Sequence, residues 1–131
     1  PGLGVLCGLD TAQDIEGIVG QAELVHEQTG SAVLATTGDL LDGSAEDVLV
    51  ESEGRRRTTR RLPFVRVDTP HTHGTGCSLS SAMATARVGA DDWRSAYARV
   101  RPWMDGALQG GLSLGVGQGS GPLDHNWFLH R

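Results

Sequence analysis

From Thr69 to Cys77 the chain reads Thr-Pro-His-Thr-His-Gly-Thr-Gly-Cys, and the residues that follow are mostly small: Ser78, Leu79, Ser80, Ser81, Ala82, Met83 and Ala84. A glycine-rich loop that opens directly into such a run predicts a helix from about Thr75 to Val88, stopped at Gly89. Small side chains let that helix lie close against a sheet. At its start the backbone N–H groups of Gly74, Thr75, Gly76 and Cys77 converge. A helix N-terminus offers unpaired donors and about half a positive charge, which makes a seat for an anion. Glycine permits the close approach and the unusual backbone angles. On spacing alone, Gly-x-Gly before a helix is a weak signal, because many loops of this shape hold no ligand.

Cys77 admits two readings. The end of a helix favours a thiolate, and a thiolate there is placed to take a proton from an attacking hydroxyl or phosphate. A free cysteine is also often just a small residue packing a helix on a sheet. His71, His73 and Cys77 are three potential metal ligands, but H-x-H-x3-C matches no zinc pattern and lacks a fourth ligand. A Cys-His hydrolase, with Cys77 attacking and His71 or His73 as base, remains open. Alternating glycine and threonine suit phosphate oxygens better. Cys7 has no such setting and reads as structural.

The chain has 131 residues, enough for one domain, with 19 glycines in no fixed period. All 11 basic residues are arginine, against 16 acidic residues, for a net charge of −5. The absence of lysine excludes a Walker A loop, a lysine Schiff base and a lysine general base. The acidic balance argues against nucleic acid as a partner. Arg55, Arg56, Arg57, Arg60 and Arg61 cluster, either as a solvated hairpin edge or as a local anion contact. Two distant cysteines form no disulfide framework, so a reducing, cytoplasmic setting is expected. No apolar run approaches the roughly 20 residues of a membrane span, and no signal peptide is visible.

Residues 1–9 show no clear period. Thr11, with Asp14 in the first turn, predicts a helix start. Ile15, Ile18, Val19, Ala22 and Val25 keep helical spacing up to Gly30. Residues 31–36 predict a strand buried on both faces, and 47–51 a second strand. Glu53-Gly54 predicts a turn into a strand through the arginines, so a hairpin. Residues 64–67 predict one more extended piece. Asp91-Asp92 predicts another helix, carrying Trp93, Ala96, Tyr97, Val100, Met104 and Ala107, with a kink or break at Pro102. Residues 110–122, with six glycines and a proline, read as loop. The order implies α/β architecture with an antiparallel flap, and about four strands suggest part of a larger sheet.

The run His73-Gly74-Thr75-Gly76-Cys77-Ser78-Leu79-Ser80-Ser81-Ala82, preceded by Thr69 and Thr72, resembles the signature of the hydroxymethylpyrimidine/phosphomethylpyrimidine kinases of thiamine biosynthesis, members of the ribokinase-like family. In the same order, Val33 to Asp39 resembles the family's V-L-V-K-G-G-H strand, Asp47-Val48-Leu49 its V-D-V-L strand, and Gly119 to His125 its terminal G-x-G-P-V-N-H. The resemblance implies a ribokinase-like three-layer αβα sandwich, of which residues 1–131 are the C-terminal portion of a single domain. It implies ATP and Mg²⁺, a small-molecule substrate (hydroxymethylpyrimidine or its phosphate), and no nucleic acid or membrane. Carried over, Cys77 stands at the base position, and Gly74, Thr75 and Gly76 form the anion hole. Thr36, Thr37, Gly38 and His73 fall on the nucleotide side. Thiazole kinase of the same pathway shares Gly-Thr-Gly-Cys, but His73 and the terminal Gly-Pro-x-x-His favour the pyrimidine enzyme.

The departures from the family pattern are specific. Its strand lysine is Thr36 here, although Thr36 or Thr37 can still hydrogen-bond a phosphate. Its Gly-His is Gly38-Asp39, which places an acid near the nucleotide. Its early N-P-x-E is not recognisable in residues 1–9. The N-terminal half, with most of the pyrimidine pocket, is not represented. The expectation is therefore a fragment of a longer polypeptide, a half completed by an N-terminal partner or within a homo-oligomer, or a non-catalytic phosphate-binding remnant.

Overall fold

Acidic residues on one helix facing arginines on one strand organise the first part of the chain. A computed structural model describes residues 1–38, 43 and 45–130. They form two compact units, Pro1–Arg66 and Val67–Arg131.

In the first unit, helices α1 (Gly2–Cys7) and α2 (Ile15–Thr29) precede strands β1 (Val33–Ala35), β2 (Glu46–Glu53) and β3 (Arg56–Pro63). The three strands form one antiparallel sheet in the order β1-β2-β3. Helix α2 lays Ile18 and Ala22 on Ala35, Val48 and Val50, with Ile15, Val19 and Val33 packed around them. That apolar stripe is the helical spacing seen in the sequence. On the same sheet face, Thr59 Oγ1 donates to Glu23 at 2.7 Å. Arg57 pairs with Glu23 and Glu27, and Arg61 with Glu16 and Glu46. The hydrogen bond to Glu46 raises the already high pKa of Arg61 further. Such exposed pairs each contribute little to stability. Their main effect is to blunt the edge strand β3 with charge. The arginine cluster is thus a hairpin edge on which Arg57, Arg60 and Arg61 are answered by carboxylates of α2 and β2.

Behind this, His26 is buried. Its Nδ1 donates to the Ser31 carbonyl at 2.7 Å, so Nε2 accepts from Ser52 Oγ at 3.1 Å. The opposite sheet face carries Asp47, Leu49 and Glu51, all buried.

The second unit holds α3 (Thr75–Val88), α4 (Trp93–Gly111) and a 3₁₀ turn, Trp127–Leu129. Helix α4 buries Ala96, Tyr97, Val100, Met104 and Ala107. Helix α3 packs on it and buries Leu79 and Met83. Arg87 stacks over Trp93 at 5.5 Å and donates to the Ala90 carbonyl, closing the turn between them. Asp92 caps α4 by accepting from Ser95 N at 2.7 Å.

Several expectations are corrected. Residues 2–7 form a short helix, hidden in the sequence by Gly2 and Gly4. Gly4 is needed there, because a Cβ would fall 2.8 Å from the Leu9 carbonyl oxygen. The cap of α2 is Asp14, which accepts from Gly17 N at 2.7 Å, not Thr11. Residues 64–67 form no strand: β2 begins at Glu46, opposite Pro63, and the pairing continues past it as a bond from Phe64 N to Ala45 O. The strand at 31–36 shortens to 33–35, with Val33 and Leu34 only half-buried, and the described residues form three strands rather than four. Helix α4 runs unbroken through Pro102. The missing bond there would have gone to Ala98, and both residues are exposed, on the solvent side of the helix, where losing that bond costs least.

Gly110 and Gly111 were also expected in a loop but belong to α4. With Gly106 they form a bare track on which the C-terminal tail lies. An added Cβ would fall 2.1 Å from Trp127 Cε2 at Gly106, 2.8 Å from Asp124 Cβ at Gly110 and 2.8 Å from Pro122 O at Gly111. Gly106→Ala therefore forces Trp127 off the helix. It should destabilise the protein by about 1–3 kcal/mol, an overpacking cost exceeding the helix-propensity gain. Gly20→Ala on α2, where nothing lies within 4 Å, should instead gain about 0.5–1 kcal/mol. Urea unfolding of both variants checks the contrast.

Candidate active site

The loop before α3 is built from its own hydroxyls and from the tail. Thr69 Oγ1 accepts from His71 N at 3.1 Å. The Thr72 carbonyl accepts from Thr75 N at 3.2 Å and Thr75 Oγ1 at 2.7 Å. Gly74 is the N-cap residue, in left-handed backbone at φ 87°, and gives no side-chain cap. The first intrahelical bond is Ser78 N to Gly74 O at 2.8 Å. Among the described residues, the amides of Gly76 and Cys77 then have no acceptor. Both residues are exposed, and the space beside Gly76 is open. Two free N–H groups and a thiol thus share one helix turn, at the positive end of a 14-residue helix.

The tail closes over this loop from the other side. Gly121 O accepts from His73 N at 3.3 Å, and His73 bridges Pro122 in parallel. Ser120 Oγ accepts from Thr72 N at 3.2 Å and donates to Pro70 O at 2.9 Å. Gly121 N donates to His71 Nδ1 at 3.0 Å. A Cβ at Gly121 would meet that ring nitrogen at 2.8 Å, so only glycine fits. His125 Nε2 lies 2.7 Å from Ser78 Oγ. Beside the loop, between α3 and α4, opens a groove of about 580 Å³ lined by Cys77, Ser81, Thr85, Arg99, Trp103 and His125 among others.

Sequence-predicted residues His73, Gly74, Thr75, Gly76 and Cys77 are therefore together at one helix start. Thr36, Thr37 and Gly38 lie in the first unit, where β1 ends. Thr37 is buried, its amide donating to Asp47 Oδ1 at 3.3 Å and its hydroxyl to Glu46 O at 2.5 Å. That hydroxyl is thus occupied in holding β1 to β2, and Thr36 carries the exposed one. Gly38 O accepts from Arg66 at 2.5 Å. Asp39 lies outside the described residues. Among those described, no three His, Cys, Asp or Glu side chains converge as a metal site, so His71, His73 and Cys77 do not form one. Both cysteines are free, and no helix is long and apolar enough to cross a membrane. In the sequence Ser78 falls in the central motif and Ser120, Gly121 and His125 in the terminal one, with no role given to any of the four. The available signal was three glycines inside α4 at positions 106, 110 and 111, where a lone helix would disfavour them.

The α/β chain, with a left-handed glycine turning into a helix whose second and third amides are free, has a fold of the ribokinase-like kind. The solved structure of an ADP complex of Bacillus subtilis pyridoxal kinase superposes with a TM-score of 0.82 at 25% identity, over 98% of this chain and 48% of that one. The family model described as phosphomethylpyrimidine kinase matches residues 1–124, and the chain belongs to that family. It is 37% identical to the thiamine biosynthesis multifunctional protein ThiED of Corynebacterium efficiens, over 95% of this chain and 16% of the relative. It is 38% identical to the hydroxymethylpyrimidine/phosphomethylpyrimidine kinase of Salmonella typhimurium, over 72% of this chain and 34% of the relative. The Rhizobium meliloti enzyme of the same name is 31% identical, over 97% of this chain and 45% of its own length. The chain thus spans less than half the length of each.

The two glycines of the loop should separate by substitution. Gly74→Ala forces a side chain into left-handed backbone and should cost about 1–2 kcal/mol in stability. Gly76→Ala lies inside α3 and meets no neighbour, so it should keep or slightly raise Tm. Thermal unfolding of both variants reads the difference.

Proposed function

We propose that this chain supplies the phosphate-binding turn and the proton acceptor of an ATP-dependent kinase for hydroxymethylpyrimidine and its monophosphate. In this reading residues 1–131 are the C-terminal half of a single cytoplasmic kinase domain, and an N-terminal half completes the substrate pocket. The observation that carries it is the pair of unpartnered amides, Gly76 and Cys77, on the same helix turn as the Cys77 thiol. The family membership and the ADP-bound fold neighbour support the choice of donor.

The step is an in-line transfer. The substrate oxygen attacks the γ-phosphorus of ATP, the bond to the bridging oxygen breaks, and ADP leaves. The Cys77 sulfur is placed to take the proton of the attacking hydroxyl. The amides of Gly76 and Cys77 point at the charge that builds on the transferring group, and such fixed donors need no reorganisation. Left-handed Gly74 lets the backbone turn toward the phosphates. Mg²⁺ binds mainly through phosphate oxygens and water, with few protein ligands. Among the described residues no three His, Cys, Asp or Glu side chains gather, so Mg²⁺ would be held mainly by the phosphate oxygens, where it would neutralise charge. The groove beside Cys77, walled by Trp103, has the volume and the aromatic surface to hold the nucleoside.

The test is transfer from ATP with Mg²⁺ to hydroxymethylpyrimidine, with pyridoxal as a second hydroxymethyl heterocycle. It is run on the chain alone and on the chain joined to a relative's N-terminal half. The joined form should phosphorylate the pyrimidine in preference to pyridoxal, and Cys77→Ala should lower kcat by at least about 10²-fold. Transfer that survives Cys77→Ala removes the thiol from the chemistry. No transfer and no ATP binding in the joined form overturns the kinase reading.

A further inference from the structure

We infer that His125 is a positioning residue: through Ser78 it holds the first turn of α3, and so fixes the two free amides and the Cys77 thiol. This rests on the kinase reading for its catalytic consequence and on geometry for the rest.

An anion site made of backbone amides is only as well placed as the helix turn that carries it. The start of α3 is loosely held from within, because Gly74 supplies no capping side chain and is the residue with the widest backbone freedom. The hold comes from outside. Ser78 directly follows Cys77, and its Oγ lies 2.7 Å from His125 Nε2. His125 is itself fixed on two sides. Its carbonyl accepts from Trp103 Nε1 at 3.3 Å, and its ring stacks on the Trp103 ring at 5.9 Å, tilted by 32°.

The tail is anchored to α4 on either side of His125. Asp124 N donates to Ala107 O at 3.0 Å, and Trp127 Nε1 donates to Trp103 O at 3.1 Å. The strain-free path for this segment is the glycine track, since a side chain at Gly106 or Gly110 would displace it. Helix α4, a rigid element, thus reaches the first turn of α3 through Trp103, His125 and Ser78. Ser78 does not present its hydroxyl to the anion seat while it serves His125. The pair therefore orients the reactive turn without touching the transferring group.

The test is a double-mutant cycle on Ser78 and His125, in the form that transfers phosphate in the assay above. His125→Ala and Ser78→Ala should each lower kcat by about tenfold, with KM for the pyrimidine and Tm nearly unchanged. The double variant should be no worse than either single one, because both remove one contact. His125→Gln, whose side-chain nitrogen can still bond Ser78 Oγ, should recover most of kcat. An unchanged kcat overturns the proposal. So does a fall in kcat that follows a fall in Tm and is not rescued by glutamine. If the unsubstituted protein transfers no phosphate, the kinase reading fails by itself. The positioning is then read on this chain from iodoacetamide alkylation of Cys77, followed by peptide mass. There His125→Ala should shift the rate and His125→Gln restore it, and equal rates in all three proteins overturn it.

Discussion

The seating of the tail on the bare track of α4 is the contact on which the second unit depends. Gly106, Gly110 and Gly111 remove side chains where Trp127, Asp124 and the Pro122 carbonyl lie. Once seated, the tail offers Ser120, Gly121 and His125 to the loop Pro70–Ser78. These contacts leave the amides of Gly74, Gly76 and Cys77 without a partner among the described residues, the last two inside α3. The tail thus does for α3 what a capping side chain usually does, but from the flank. The donors that a cap would have consumed stay available to a ligand.

The first unit solves a different problem. Its sheet ends in a strand, β3, with four arginines: Arg56, Arg57, Arg60 and Arg61. Helix α2 covers one face with an apolar stripe and sets Glu16, Glu23 and Glu27 opposite Arg57 and Arg61. Burial of Ile18, Ala22, Val48 and Val50 provides the stability there, and the charges provide register and an edge that resists pairing with another chain. Thr37 belongs to this framework, since its hydroxyl and amide both hold the end of β1 to β2.

Elements whose signal is local were legible in the sequence. The bounds of α3, the hairpin turn at Glu53-Gly54 and the apolar face of α2 follow from periodicity, glycine and acidic caps. So does the gathering of His73 to Cys77 at a helix start, because consecutive residues at a turn have little choice. What escaped depends on contacts distant in the sequence. Gly110 and Gly111 read as loop because their value appears only when Asp124, Trp127 and the Pro122 carbonyl lie on α4, whereas the glycines from 115 to 121 do stand outside the helix. Thr36 and Thr37 look alike in the sequence, and only the pairing of β1 with β2 separates the exposed hydroxyl from the occupied one. His125 had no visible role because its partner, Ser78, is 47 positions away.

The central claim is that the first turn of α3 binds the phosphates of the nucleotide through two backbone amides. The most direct measurement is an amide chemical-shift titration of the ¹⁵N-labelled protein with ADP. The account predicts that the largest shifts fall on the N–H groups of Gly76 and Cys77, moving downfield as hydrogen bonds to phosphate form. Saturable ADP binding that leaves those two signals in place would contradict it.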